Sequence, residues 1–175
     1  CNIDSPVMKD EFGIYFEYSF LRDLWYSIGK EEKKPETKEE KERYLEVTNN
    51  VKKEIIRNKL SIKDIESILC KSVKDLNKYF GVGGVPSDEY IQYPGKWAIT
   101  KFAGNFDADD FLKVCKFKWS FNIKPDIVIH LSKDRAVCIE AKYDSGEGSY
   151  PSNLKDIKIF DDKKLPRVGQ TELQV

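Results

Sequence analysis

Apolar residues recur at every fourth position in the segment 11–28. This interval is close to one turn of an α-helix, so the segment is predicted to form a buried amphipathic helix that ends near Gly29. The positions that define the apolar stripe are Phe12, Phe16, Phe20 and Leu24.

Two further helices are predicted from their start signals. Thr37 with Glu40 forms a capping box at the end of a charged run, and Ser61 with Asp64 has the same spacing. Apolar residues then follow each start at intervals of three and four positions. In the first helix these are Tyr44, Val47, Val51 and Ile55. In the second they are Ile62, Ile65, Leu69, Val73, Leu76 and Phe80. The glycine-rich segment 81–86 interrupts the pattern and lacks the Lys-Ser/Thr of a P-loop, so it is predicted to be a connection.

The period of the apolar positions changes to two from about Lys113, which is typical of strands. The first predicted strand has an apolar face and a basic outer face. The apolar positions are Cys115, Phe117, Trp119 and Phe121, and Lys116, Lys118 and Ser120 alternate with them. A second strand is predicted over 126–131 and a third over 135–142, joined as a hairpin by the turn 132–134. Residues 168–175 are predicted to begin a helix.

These elements predict an α+β fold with a helical N-terminal half, residues 1–100, and a strand-rich region, residues 101–175. The chain begins with Cys and ends where a helix is predicted to begin. We therefore expect it to be a fragment whose C-terminal region is incomplete.

The composition limits the classes of function. Thirty Lys and Arg residues balance thirty Asp and Glu residues, so the net charge of zero excludes a strongly basic nucleic-acid coat. No apolar stretch approaches the roughly 18 residues of a membrane span, and no signal peptide is visible. The four cysteines form no CxxC pair, and Cys70 and Cys138 are expected to be buried free thiols. A cytoplasmic protein is expected from these features.

The only histidine, His130, lies within an apolar predicted strand. A Ser-His-Asp hydrolase needs a histidine base, and zinc hydrolases usually need several histidine ligands. Hydrolytic chemistry in this chain is therefore expected to depend on carboxylates and lysine. His130 itself is expected to be packed and hydrogen-bonded, although a regular strand places it on the same face as Asp126.

Three charged residues converge at one end of the predicted hairpin. Glu140 and Lys142 point to the same side of their strand, about 7 Å apart, and Asp126 begins the neighbouring strand. Opposite residues in paired strands lie about 5 Å apart, so Asp126 and Glu140 can approach one cation. The simpler alternative is an ordinary solvent-facing pair of Glu140 and Lys142. Two adjacent carboxylates repel each other unless a cation lies between them, and this favours a divalent metal site.

This arrangement resembles the PD-(D/E)xK nuclease superfamily, which includes many restriction endonucleases. Pro125-Asp126 matches the PD element, and Glu140-Ala141-Lys142 matches the ExK element. Gln170 and Gln174 resemble the glutamine-bearing helix that follows the ExK strand in several branches. The similarity covers roughly residues 111–175. It implies a restriction-endonuclease-like fold, in which a mixed central sheet is flanked by helices and which needs at least one further strand after residue 175.

The resemblance also implies an activity, the Mg²⁺-dependent hydrolysis of phosphodiester bonds in DNA, with Mn²⁺ as a substitute. Asp126, Glu140 and the Ala141 carbonyl are expected to hold the metal, which activates a water molecule. Lys142 is expected to orient that water and to counter negative charge on the phosphate, and Gln170 to complete the catalytic set.

Three further expectations concern partners and ligands. Glu17 is a candidate additional metal ligand, because the first helix of the family often carries an acidic residue. Lys116 and Lys118 are candidates for contacts with the phosphate backbone. A restriction-type enzyme is expected to act as a homodimer.

Other functions remain open from the sequence. One is a nuclease that acts on RNA or on single strands in a defence or repair system. Another is a non-catalytic nucleic-acid-binding or interaction domain with the same fold. The last is that the motif arises by chance and that the helical half is an interaction module.

Overall fold

The computed structural model describes residues 12–29, 35–132, 134–141 and 148–173. The chain has a mixed α/β architecture in which most of the helices precede the main sheet. The helices are α1 (Phe20–Ser27), α2 (Lys38–Leu60), α3 (Ile65–Leu69), α4 (Val73–Tyr79), α5 (Ile99–Phe102), α6 (Ala108–Ser120) and α7 (Leu154–Asp162). The strands are β1 (Gly13–Phe16), β2 (Ile127–Ser132), β3 (Arg135–Ile139), β4 (Ser149–Tyr150) and β5 (Val168–Gly169). Short 3-10 helices cover Pro94–Lys96 and Thr171–Leu173.

The main sheet has three strands in the order β1-β2-β3, and both pairings are antiparallel. A second, two-stranded sheet pairs β4 with β5, also antiparallel. The α+β class predicted from the sequence is confirmed. Both sheets in the described part of the chain contain only antiparallel pairs, so the mixed sheet predicted from the resemblance is not confirmed there.

A hydrophobic core cluster extends from Trp25 in α1 to Leu173 near the end of the chain. Aromatic rings fill much of it, and the rings of Phe80 and Trp97 stack with their centroids 3.7 Å apart. The core therefore includes residues from both sides of position 100, the boundary predicted between the two regions. Its most buried large side chains include Trp25, Ile56, Leu60, Leu76, Phe80, Trp97, Phe102, Phe111 and Phe160.

The predicted helix over 11–28 is wrong in its first half. Residues Gly13–Phe16 form β1, and only Phe20–Ser27 is helical, although the end near Gly29 is as predicted. Ile14, Tyr15 and Phe16 have high β propensity, and they pair with β2, more than a hundred positions away in the sequence. Such a distant partner leaves no trace in the local periodicity.

The capping box of α2 is confirmed, with the Thr37 side chain and Glu40 bonded reciprocally. The predicted stripe is rotated relative to the buried face, because Val47 and Val51 are 56% and 44% exposed. The buried positions are Thr48, Asn49, Lys52, Ile56 and Leu60. Three of them are polar, so the apolar pattern alone does not reveal this face, although Ile55 of the predicted stripe packs against the core.

The helix predicted from Ser61 is divided into α3 and α4. Ser72 caps the second piece by accepting a hydrogen bond from the Asp75 amide. The predicted apolar positions nevertheless pack into the core, with Leu76 and Phe80 fully buried. The segment 81–86 is a connection, as predicted.

The predicted strand over 113–121 is wrong, because these residues belong to α6 and its C-cap. Asp107 caps the helix by accepting a hydrogen bond from the Asp110 amide. The buried residues Phe111, Val114, Cys115 and Trp119 follow helical spacing. Between 115 and 121, apolar residues also happen to stand at every second position. This alternation indicated the period of a strand, although the segment is helical.

The helix predicted over 168–175 is wrong for the residues described. Val168–Gly169 pairs with Ser149–Tyr150 as β5, and a 3-10 helix follows it. The burial predicted for Cys70 and Cys138 is also wrong, because both of these free cysteines are exposed. In the described part of the chain, no helix is long and apolar enough to cross a membrane.

Lys52 is a buried cation that faces aromatic rings. Its Nζ lies 5.3 Å from the centroid of the Trp25 ring and 6.0 Å from that of Tyr90. Burial lowers the pKa of Lys52 from 10.5 to about 8, because the charged form loses its hydration. This shift means that burying the charged Lys52 lowers the free energy of unfolding by about 3 kcal/mol at neutral pH. The cation–π contacts offset about 1 kcal/mol of it.

Replacing Lys52 with methionine is therefore expected to increase the free energy of unfolding by about 2 kcal/mol at pH 7. The pKa is lower in the folded state, so between pH 8 and 10.5 the unfolded chain binds more protons. The gain should be complete below pH 8 and disappear as the pH approaches 10.5. Urea unfolding across this range measures it, with the exposed Lys59→Met as the control. A gain that does not change with pH contradicts the burial cost.

Candidate functional site

The three strands of the main sheet bring three acidic residues to one end. The last paired row is Phe16, Ile127 and Ile139. Glu17 follows β1, Asp126 precedes β2 and Glu140 follows β3, so the register continued by one position sets them side by side. The neighbouring strands are antiparallel, which is why residues so distant in sequence meet here.

Proline at position 125 helps to set this end of the sheet. Pro125 has no amide hydrogen, so it cannot donate to a neighbouring strand, and β2 begins after it. Glu17 adopts a φ of 47°, in the left-handed region that is uncommon for a residue other than glycine. The regular extension of β1 ends there, while the Glu17 amide still donates to the Asp126 carbonyl over 3.1 Å.

The Asp126 side chain is held against the end of β3. The Ala141 amide donates to Asp126 Oδ2 at 2.7 Å. This contact lies one residue beyond Glu140, so the two carboxylates belong to the same corner of the sheet. A carboxylate that accepts at one oxygen keeps its second oxygen for a cation.

Gln170 comes to Glu140 from a different part of the chain. Its side-chain Nε2 donates to Glu140 Oε1 at 3.0 Å, and its backbone amide donates to the Gly148 carbonyl at 2.8 Å. The pairing of β4 with β5 fixes this segment, since Gln170 directly follows β5. Gln170 therefore orients Glu140, as a residue bonded to a metal ligand commonly does.

Tyr150 lies close enough to Glu140 to sense its charge. The pKa of Tyr150 is raised, first by burial and then by the negative charge of Glu140. Its ring packs against Trp119 at 5.2 Å between centroids. Sequence analysis missed Tyr150 because its place beside Glu140 depends on the β4–β5 pairing, which has no clear sequence pattern.

The donor atoms present suit a hard divalent cation. Asp126 and Glu140 supply carboxylate oxygens, and Ala141 has a backbone carbonyl. Mg²⁺ is commonly bound through one or two carboxylates, with waters and substrate phosphate as its other ligands. Within the described ranges, no three His, Cys, Asp or Glu side chains gather as a metal-binding group. Glu17 adjoins the site through the hydrogen bond of its backbone amide to the Asp126 carbonyl, and its role as a metal ligand stays a prediction.

Three other residues that the sequence analysis singled out near the site are Lys142, Gln174 and His130. Lys142 and Gln174 lie outside the described residues, so the structure does not place them. His130 is on β2, four residues from Asp126, and is 2% exposed, in agreement with the packed histidine predicted.

Lys116 and Lys118 lie on the helix α6, so they do not form the basic outer face of a strand that was predicted for them. Lys116 forms an ion pair with Glu172. Lys118 donates to the Gly95 carbonyl at 3.2 Å, and burial lowers its pKa. Contact of either lysine with phosphate stays a prediction, without the strand geometry that suggested it.

Comparisons with protein-family models, curated proteins and solved structures gave no match. A function is therefore inferred from the geometry of the corner formed by Asp126, Glu140, Ala141 and Gln170.

Proposed function

We propose that this chain is a metal-dependent nuclease that hydrolyses phosphodiester bonds in DNA. The observation that carries the proposal is one corner of the sheet, where Asp126 precedes β2 and accepts from the Ala141 amide, and where Glu140 follows β3 and accepts from Gln170. All four are among the residues that the sequence predicts for the site. Their meeting at one corner supports the nuclease assignment and the restriction-endonuclease-like fold that we propose with it.

The protein groups have distinct roles in this proposal. Asp126 and Glu140 hold Mg²⁺, for which Mn²⁺ substitutes, and the Ala141 carbonyl is the third protein ligand. When bound, the cation supplies positive charge that activates water and stabilises charge on the phosphate oxygens. Gln170 keeps Glu140 in position through its hydrogen bond. Lys142 orients the attacking water and balances the charge that develops on the phosphate.

A restriction-type enzyme cuts both strands of a duplex. One corner of this kind provides one set of catalytic groups, so cleavage of both strands requires a second copy. A homodimer is therefore part of the proposal.

The experiment is cleavage of plasmid DNA by the purified chain with Mg²⁺ or Mn²⁺, with EDTA and Lys142→Ala as negative controls. Lys38→Ala, which changes an exposed lysine on α2, is the matched control and should cleave like the wild type. Single-stranded DNA and RNA are tested in parallel to identify the substrate. Cutting that EDTA and Lys142→Ala abolish supports the proposal. Cutting that persists in EDTA contradicts it.

A further inference from the structure

A groove of about 340 Å³ lies between α1 and the β2–β3 hairpin, and its lining comes nearest to the corner at Cys138, two residues before Glu140. One wall is apolar and comes from α1, through Phe20, Leu21 and Leu24. The opposite side is formed by β2 and β3, where His130 and Cys138 line it. Its volume falls at the lower end of the range for small-ligand sites, about 300–1,000 Å³.

The groove and the carboxylates occupy the same face of the sheet. His130 pairs with Ala136, and Val128 pairs with Cys138 two rows farther along the hairpin. Continuing the register by two more rows beyond Val128 and Cys138 sets Asp126 opposite Glu140. Opposite residues project to one side and side chains alternate along a strand, so these three rows share a face. Cys138 is two residues from Glu140, which corresponds to about 7 Å along β3.

The far end of the groove is polar. Ser132, Asp134 and Arg135 line it, and Ser132 Oγ donates to Asp134 Oδ1 at 2.7 Å. Arginine presents several N–H donors in a plane, whereas a carboxylate presents acceptors. Donors and acceptors thus lie together beyond an apolar wall that includes an aromatic ring.

We propose that this groove receives one unstacked nucleobase of the strand whose phosphate is bound at Asp126 and Glu140. The base has a flat apolar face for Phe20 and an edge of donors and acceptors for Asp134 and Arg135. An apolar side chain of a partner protein suits the wall but gives Asp134 and Arg135 nothing to bond.

The inference depends on the proposed nuclease function and specifies its substrate. Bases inside an intact duplex are paired and stacked, so they cannot enter the groove without being displaced. In a duplex the base near the cut therefore has to be displaced from the stack first, whereas a single strand enters the groove without that step.

The test compares wild type with Ala136→Trp, which fills the groove, and with Val137→Trp, which adds the same side chain on the opposite face of β3. Binding is measured in EDTA by fluorescence anisotropy, so that it does not depend on catalysis. The probes are an oligothymidylate of about ten nucleotides and an abasic phosphodiester of equal length and charge. Arg135→Ala removes a polar contact without filling the groove, and far-UV circular dichroism checks the fold of each variant.

Wild type and Val137→Trp are expected to bind the oligothymidylate about tenfold more tightly than the abasic strand, because stacking of one base contributes about 1–3 kcal/mol. Ala136→Trp should lose that preference, and Arg135→Ala should reduce it. Equal binding of both probes by the wild type overturns the inference, as does an unchanged preference in a folded Ala136→Trp protein. If the wild type cleaves DNA but binds both probes equally, the nucleobase inference is wrong and the proposed nuclease function stands. If the wild type prefers the oligothymidylate, Ala136→Trp loses that preference and no cleavage is found, the proposed nuclease function is wrong and the base-binding groove stands.

Discussion

Asp126→Asn is expected to reduce metal-dependent cleavage by at least about 1,000-fold, because it removes one of the two carboxylate charges that we propose hold the cation. Asparagine has nearly the same shape and still accepts the hydrogen bond from the Ala141 amide. The fold of this corner should therefore persist while the affinity for the cation falls. Initial rates of DNA cleavage at saturating and limiting Mg²⁺ measure the loss.

Gln170→Ala gives a graded comparison with that variant. Gln170 acts on Glu140 through one hydrogen bond of 3.0 Å, so its loss is expected to cost about 10- to 100-fold. Glu172→Gln, two residues later, breaks the ion pair with Lys116 and should leave cleavage close to the wild-type rate. If Asp126→Asn cleaves as fast as Gln170→Ala, the role of Asp126 as a metal ligand is wrong.

The largest expected effect on stability comes from Asn77→Ala, at about 3 kcal/mol. Asn77 is 1% exposed and binds the backbone of the segment 87–92 at three points. Its Nδ2 donates to the carbonyls of Ser87 and Tyr90, each at 3.0 Å, and its Oδ1 accepts from the Gln92 amide at 2.9 Å. Alanine leaves these partly buried backbone groups without this partner, and each such group costs about 1–3 kcal/mol.

Urea unfolding measures this loss as a lower midpoint with an unchanged slope. The matched control is Asn58→Ala, because Asn58 lies on the exposed side of α2 and bonds only to the Glu54 side chain among the described residues. The control is expected to change the free energy of unfolding by less than about 0.5 kcal/mol. Equal effects of the two substitutions contradict the anchoring role of Asn77.

The part of the site that was predictable is the part built by neighbouring segments of the chain. The β2–β3 hairpin has a clear sequence pattern, a turn between two apolar runs, and its antiparallel register places Asp126 opposite Glu140. The start of α2 was predictable for the same reason, since Thr37 and Glu40 form a local motif.

The parts that were not predictable depend on distant partners. β1 becomes a strand by pairing with β2, and this is what brings Glu17 beside Asp126. The sequence pattern places Gln170 in a helix. In the structure Gln170 directly follows β5 and donates a hydrogen bond to Glu140. In α6, aromatic residues and lysines alternate by chance along a helix, and only the cap at Asp107 distinguishes the two periods. Tertiary pairing decided each of these cases over local pattern.

We propose that Asp126 and Glu140 together hold one divalent cation, and Mn²⁺ titration followed by electron paramagnetic resonance detects such a site without any need for catalysis. The wild type is compared with Asp126→Ala, Glu140→Ala and the exposed Asp88→Ala, which breaks an ion pair with Lys74 far from this corner in the sequence. The wild type and Asp88→Ala should both bind Mn²⁺ at this site, and each of the other two variants should lose the site. Mn²⁺ binding that is equal in all four proteins, or absent from the wild type, contradicts the proposal.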